Sequence, residues 1–273
     1  MKVTLFGCGG WGSTVAAKLD AASGVRLVVV DESRERAERL GDGLGVQWSY
    51  DPFGYLGVTG TGASTIDGGM VVIATPPSER VKLVSAVLDG YGPKPRAIRI
   101  EKPLASTGEE AETIAAMCEE AGVELSVGFT LLHHPLYEAA FAYIEATRSE
   151  VQWLQAIRIG PRARHDVHAL VDAGIHAAAV AAYLDVPAAI SASYCDHGMM
   201  RRTSINIAAG SVVIDEIAGT VTTPTGEITV REGDALRSEL EAWLMGHHRG
   251  TPEVAVAAQD IIDDAISTSL VAA

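Results

Sequence analysis

The chain has 273 residues, 48% of them hydrophobic, and a formal net charge of −14 from 21 Lys and Arg against 35 Asp and Glu. That length suits about two domains, and the apolar content is ample for buried cores, which excludes wholesale disorder. The acidic balance excludes a general nucleic-acid binder, because neutralising phosphates needs clustered Lys and Arg.

Three scattered cysteines (Cys8, Cys118, Cys195) make neither a disulfide framework nor a CxxC metal site, and suit free thiols in a reducing compartment. The apolar run at residues 3–7 is too short for a signal-peptide core. The longest weakly polar stretch, 177–184, falls well below the ~20 residues of a spanning helix. A cytoplasmic location without membrane partners is the expectation.

In chain order, residues 3–6 form a short apolar run ending in glycines. Residues 13–20 read as a helix with Val15, Ala16 and Leu19 on one face. The continuous β-branched run at 25–30 predicts a strand buried on both faces, and 33–40 a charged helix. Residues 51–69, rich in Gly and Thr, predict an irregular surface loop. A buried run at 70–74 stops at Thr75-Pro76-Pro77; helices at 79–88 and 107–120 then alternate with strands at 97–100 and 124–128. This alternation predicts a doubly wound parallel sheet.

The second half changes character. Residues 151–159 alternate as a strand, and 168–184 read as one long helix. Strands at 189–195, 203–208, 211–217, 221–223 and 227–230 follow with turns between them, and helices at 235–246 and 254–270 close the chain. Short turns between consecutive strands predict an α+β domain with a mainly antiparallel open sheet. The expected domains are therefore 1–125 and 126–273, with a helix at 136–146 crossing between them and the last helices free to pack back on the first domain.

Gly7-Cys8-Gly9-Gly10-Trp11-Gly12 fits G-x-G-x-x-G, follows the first strand and opens a helix. Gly7 allows the tight turn, Gly9 lets the backbone approach a pyrophosphate, and Gly12 lets helix pack on strand. Gly10 and Trp11 complete the loop, and the helix N-terminus offers free N–H groups to phosphate. Trp11 either covers the pyrophosphate or packs a domain interface. Asp31 lies nineteen residues beyond Gly12, at the end of the second strand. Its carboxylate can accept from ribose hydroxyls and disfavours a 2′-phosphate, pointing to NAD, whereas nearby Arg34 could hold that phosphate and admit NADP. Ala74, Thr75 and Pro76, at the carboxyl end of a strand, are placed beside the nicotinamide, as are Glu101 and Lys102 of Glu101-Lys102-Pro103.

These motifs together resemble the glucose–fructose oxidoreductase / inositol dehydrogenase (Gfo/Idh/MocA) family. So do Val127-Gly128-Phe129 with Pro135, Asp172-Ala173-Gly174-Ile175-His176, and the closing segment from Leu236 to Pro252. The resemblance covers nearly the whole chain and makes it a short member. It implies an NAD(P)-dependent dehydrogenase or reductase acting on CH–OH groups of a sugar, amino sugar or cyclitol, with Lys102, Asp172 and His176 as the polar catalytic set and no metal. Helical spacing independently supports the last two: positions i and i+4 are about 400° apart in rotation, so both side chains share one face.

In the expected mechanism His176 exchanges the hydroxyl proton, Lys102 stabilises the developing negative charge on oxygen, and Asp172 holds and polarises the site. Two positions depart from the family pattern: Ala179 stands where many relatives have Asp, and Leu132 where they often have Arg. His133 either faces the substrate or packs beneath the cofactor. Arg162 and Arg164 are candidates for an anionic substrate group. Two other functions fit the same scaffold: a non-catalytic dinucleotide sensor, and a non-redox enzyme that oxidises its substrate transiently. Apolar residues in the later strands also predict a homodimer or homotetramer through the second-domain sheet.

Overall fold

In a computed structural model the described residues are 1–56, 66, 68–90, 93–161, 168–195 and 198–271. The chain forms two compact units, one of Met1–Gly128 with Leu240–Pro252 and one of Phe129–Glu239 with Glu253–Ala273.

The first unit is built on six parallel strands: β1 (Lys2–Phe6), β2 (Arg26–Val30), β3 (Gln47–Ser49), β4 (Met70–Ile73), β5 (Ala97–Glu101) and β6 (Glu124–Gly128). Their order is β3-β2-β1-β4-β5-β6. The β-branched run of β2 and the all-apolar β4 are buried along nearly their whole length, as a sheet covered on both faces requires. Helices α1 (Gly10–Asp20), α2 (Arg34–Leu44), α4 (Arg80–Asp89) and α5 (Gly108–Ala121) supply the crossovers. Thr107 caps α5 through Glu110, and αL glycines, Gly45 and Gly122, end α2 and α5. Phe6 pairs with both Val30 and Ile73, and Ile100 with both Ile73 and Val127. The next residues, Gly7, Asp31, Ala74, Glu101 and Gly128, therefore emerge together along one carboxyl edge. Strand order reverses between β1 and β4, which is where open α/β sheets hold ligands.

Two pieces of this unit have no counterpart in the sequence reading. The edge strand β3 has only three residues, and α3 (Pro52–Tyr55) is a single turn capped by Asp51. Neither is long enough to show a period. Of the loop expected at 51–69, the stretches 57–65 and 67 lie outside the described residues.

The second unit holds β7 (Val151–Gly160), β8 (Ala188–Tyr194), β9 (Met200–Ile207), β10 (Gly210–Asp215), β11 (Thr220–Thr223) and β12 (Gly226–Ile228), in the order β12-β11-β10-β9-β7-β8. All pairs are antiparallel except β7 with β8. That pair is parallel because a helix, not a turn, connects it. One sheet face packs under α6 (Pro135–Thr147) and α7 (Ile175–Leu184). It buries Leu154, Ala156, Ile205, Val212 and Ile214. Beneath α6, Tyr137 hydroxyl shares a buried cluster with Thr203 (2.7 Å), Glu216 (2.8 Å) and Arg158 (2.6 Å), and Arg158 pairs with Glu216 at 2.7 Å. Helices α8 (Ala235–Leu244) and α9 (Pro252–Val271) close the chain.

The helix expected to run unbroken over 168–184 is interrupted. Leu170–Gly174 is a π-helical turn, and the regular α-helix begins only at Ile175. The i, i+4 arithmetic for Asp172 and His176 assumed α-helical rotation throughout, whereas Asp172 lies in the π turn and His176 in the α-helix after it. No helix among the described residues is long and apolar enough to cross a membrane.

Candidate functional site

The fingerprint loop joins β1 to α1. Gly7 has φ +101°, a conformation L side chains rarely adopt, and a Cβ there would stand 2.7 Å from the Ala74 carbonyl oxygen. At Gly12 a Cβ would lie 1.9 Å from the Gly7 carbonyl oxygen, so helix and turn meet backbone to backbone. Gly9 and Gly10 are different: a Cβ on either would touch nothing within 4 Å. The fold leaves room at those two positions, where the backbone stays open to an approaching group. Gly9 is the N-cap of α1 and supplies no side chain to its first N–H groups, leaving them for an anion. Trp11 is 48% exposed on that first turn.

Asp31 ends β2 with its carboxylate turned back into the loop. Oδ2 accepts from Cys8 N at 2.7 Å. Oδ1 accepts from Ser33 N (2.8 Å) and from Nε and Nη2 of Arg36 (3.0 and 2.7 Å). Burial alone would raise its pKa, but the Arg36 guanidinium and the two backbone N–H groups outweigh burial and hold it below the usual carboxylate range. The cation at this acid is therefore Arg36. Arg34 points elsewhere: it lies over the Tyr50 ring and pairs with Glu38 at 3.7 Å. Burial, reinforced by the neighbouring Asp31 charge, pushes the Cys8 thiol up to about 12.

Across the switch point, Ala74, Thr75 and Pro76 follow β4. Thr75 Oγ1 is buried with no hydrogen-bond partner among the described residues. A hydroxyl in that condition at the carboxyl edge fits a bound polar group. Glu101 ends β5, but its carboxylate is buried against Arg99 at 2.6 Å. Gly128 leaves the room for that pair, since a Cβ there would lie 2.5 Å from the Arg99 guanidinium. The Glu101 side chain thus holds the strand end together, and Lys102, partly buried, is the residue that emerges. Buried Arg80 ties the two loops. Its Nη2 donates to the Thr75 carbonyl at 2.8 Å, and its Nη1 to the carbonyls of Glu101 and Pro103. Lys102 sits between those last two acceptors, so one guanidinium fixes the backbone on both sides of it.

In the second unit, Asp172 lies in the π turn and accepts a hydrogen bond from the Tyr194 hydroxyl at 3.3 Å. Tyr194 is the last residue of β8, brought to this turn by the parallel pairing of β7 and β8. His176 follows in the first turn of α7 and is partly exposed. Single π turns inside helices occur frequently at functional sites. His133 is 4% exposed, within a 3-10 turn at Thr130–His133 that packs against α7. Its neighbour His134 instead caps α6, accepting from Leu136 N at 3.2 Å. Leu132 and Ala179, the departures from the family pattern, are both fully buried. Arg162 and Arg164 lie outside the described residues.

The sequence reading missed Arg36, Arg80 and Tyr194. A signal existed for Arg36, which lies in the first helical turn after the acid. Tyr194 carried none, because its partner is 22 residues away in sequence, and the link from Arg80 to the Lys102 loop spans 21.

Known proteins resemble this chain in sequence over its first half and in fold over nearly all of it. Residues 1–129 match the family GFO_IDH_MocA, described as an oxidoreductase family with an NAD-binding Rossmann fold. The chain is 32% identical over 125 residues to scyllo-inositol 2-dehydrogenase (NAD(+)) of Bacillus subtilis (strain 168); the match spans 45% of this chain and 33% of that relative. UDP-N-acetylglucosamine 3-dehydrogenase GnnA from Acidithiobacillus ferrooxidans has the same fold, with a TM-score of 0.79 at 20% identity over 98% of this chain and 96% of that one. So does scyllo-inositol dehydrogenase from Lactobacillus casei, at a TM-score of 0.74 and 16% identity over 96% and 94% of the two chains. The match to that family's NAD-binding Rossmann model ends at residue 129, and beyond it the likeness to these proteins is one of fold.

Proposed function

We propose that the protein is an NAD(P)-dependent oxidoreductase that moves a hydride between the nicotinamide and a carbinol or carbonyl carbon of a sugar, amino sugar or cyclitol. The observation that carries this reading is the carboxyl edge of the parallel sheet. There the Gly-rich loop, the acid ending β2, the unmet Thr75 hydroxyl and Lys102 all emerge from one side of one sheet, on both sides of its switch point. Two relatives named for scyllo-inositol and one named for UDP-N-acetylglucosamine support a polyhydroxylated substrate.

The nicotinamide, when bound, supplies the hydride acceptor or donor. Gly9 and Gly10 admit the pyrophosphate to the N-terminus of α1, and Thr75 offers its hydroxyl near the ring. His176 takes the substrate hydroxyl proton as the carbon–hydrogen pair leaves, and returns it in the reverse direction. The Lys102 ammonium stabilises negative charge developing on that oxygen. Asp172, held by the Tyr194 hydroxyl, orients and polarises the site. Turnover of Lys102→Met and His176→Ala, measured at unchanged cofactor affinity, tests the assignment. A loss of at least a hundredfold in each is expected, and near-normal rates in both would sink it.

We also propose that a second copy covers the outer face of the β7–β10 sheet. Trp153, Ile157, Ile159 and Val213 project from it, opposite the helices. A monomeric mass by light scattering at micromolar concentration would count against this.

A further inference from the structure

We infer that Arg36 sets cofactor choice by occupying Asp31, so that the protein binds NADP(H) at least as readily as NAD(H). The inference rests on the cofactor reading above. An ionised carboxylate offers about four acceptor positions. At Asp31 four donors converge, three on Oδ1 (Ser33 N, and Nε and Nη2 of Arg36) and one on Oδ2 (Cys8 N). A ribose diol donates through two hydroxyls; Oδ2 keeps one acceptor position, so both hydroxyls can bind this acid only by driving Arg36 off Oδ1. The acid that would select NAD is thus engaged before the nucleotide arrives.

A 2′-phosphate meets the opposite situation. Its chief obstacle at the end of β2 is the negative charge of Asp31. The Arg36 guanidinium, 2.7 Å from that carboxylate, cancels the charge locally. Arg36 is itself 40% exposed, and its Nη1 makes no hydrogen bond among the described residues. A planar guanidinium held on one edge by a carboxylate presents its remaining N–H groups in a fixed direction, the geometry that suits phosphate. The hold comes from the local fold. Ser33 caps α2 by accepting from Arg36 N at 3.3 Å, which fixes the backbone from which the guanidinium reaches back to Asp31. Arg34 adds a second, more exposed cation in the same turn.

The test is equilibrium binding of NADH and NADPH by fluorescence titration, which needs no substrate. Wild type is expected to bind NADPH with a Kd equal to or below that for NADH. In Arg36→Gln the NADPH Kd should rise at least tenfold while the NADH Kd stays level or falls, because the acid is released for the diol; Arg36→Lys should fall between. Wild-type binding of NADH more than tenfold tighter than NADPH would overturn the inference. So would an NADH-to-NADPH ratio unchanged in Arg36→Gln. Binding of neither nucleotide by folded wild-type protein would overturn the underlying cofactor reading and this inference with it.

Discussion

Gly9 and Gly12 of the fingerprint loop separate what the fold needs from what a ligand needs, and alanine at each gives opposite expected outcomes. At Gly12 the added methyl would stand 1.9 Å from the Gly7 carbonyl oxygen. A carbon–oxygen contact wants about 3.3 Å, so helix and turn must separate by roughly 1.4 Å. The obstacle is backbone, which cannot rotate away. Overpacking of this kind costs about 1–3 kcal/mol, and the better helix propensity of Ala returns at most about 1 kcal/mol. A net loss of about 2 kcal/mol lowers Tm by roughly 4–8 °C in a chain near this size. At Gly9 φ is −71° and nothing lies within 4 Å of the new methyl, so the only structural cost is a poorer N-cap, about 1 kcal/mol or less. The methyl would instead stand where a pyrophosphate must come. Spending a similar 1–3 kcal/mol there weakens cofactor binding by about fivefold to a hundredfold. Thermal melts and NADH titrations of both variants decide the matter. Wild-type cofactor affinity in Gly9→Ala, or a wild-type Tm in Gly12→Ala, would refute the reasoning.

Further outcomes follow from the buried groups. Arg158→Met strands the buried Glu216 carboxylate beneath α6 and should cost about 3–5 kcal/mol in urea unfolding, whereas Tyr137→Phe, which removes one shared hydroxyl, should cost about 1–3 kcal/mol. A thiol reagent at pH 8 should label native protein at Cys195 alone, since burial holds Cys8 and Cys118 at about 12; early labelling of all three would contradict their burial. Asp31 has a depressed pKa in the fold, so its contribution is present above its unfolded value, about 3.9, and is lost as pH falls through the folded value. Asp31→Asn should therefore be less stable than wild type at pH 7 and lose less on acidification. Parallel stability profiles for the two proteins would argue against that account.

The cofactor half was legible because its signals are local. A β-branched run, a glycine turn and a helix in sequence specify a βα unit, and the acid falls at the end of the next strand. The positions of β1, β2, β4, β5 and β6 were read within a residue or two. What escaped depends on side-chain pairings and backbone turns that no apolar run or period records. Glu101 reads as a site residue, yet Arg99 two positions earlier on the same strand face claims its carboxylate. Arg34 and Arg36 look interchangeable in sequence; capping by Ser33 and the start of α2 decide which one reaches Asp31. The π turn at Leu170–Gly174 is invisible to periodicity, because one turn is too short to shift an apolar pattern. The parallel pairing of β7 with β8 follows from the helix between them, and it alone brings Tyr194 to Asp172.

The central claim, hydride exchange between a bound nicotinamide and a polyhydroxylated substrate, is tested most directly by one measurement. A panel of polyols, aminocyclitols and nucleotide sugars is offered to the protein with NAD and NADP in parallel, and the absorbance of reduced cofactor is followed. The account predicts net, substrate-dependent accumulation of reduced cofactor with at least one member, lost in Lys102→Met. Protein that binds the nucleotide but yields no reduced cofactor with any of them, while releasing an eliminated or hydrolysed product, would contradict it.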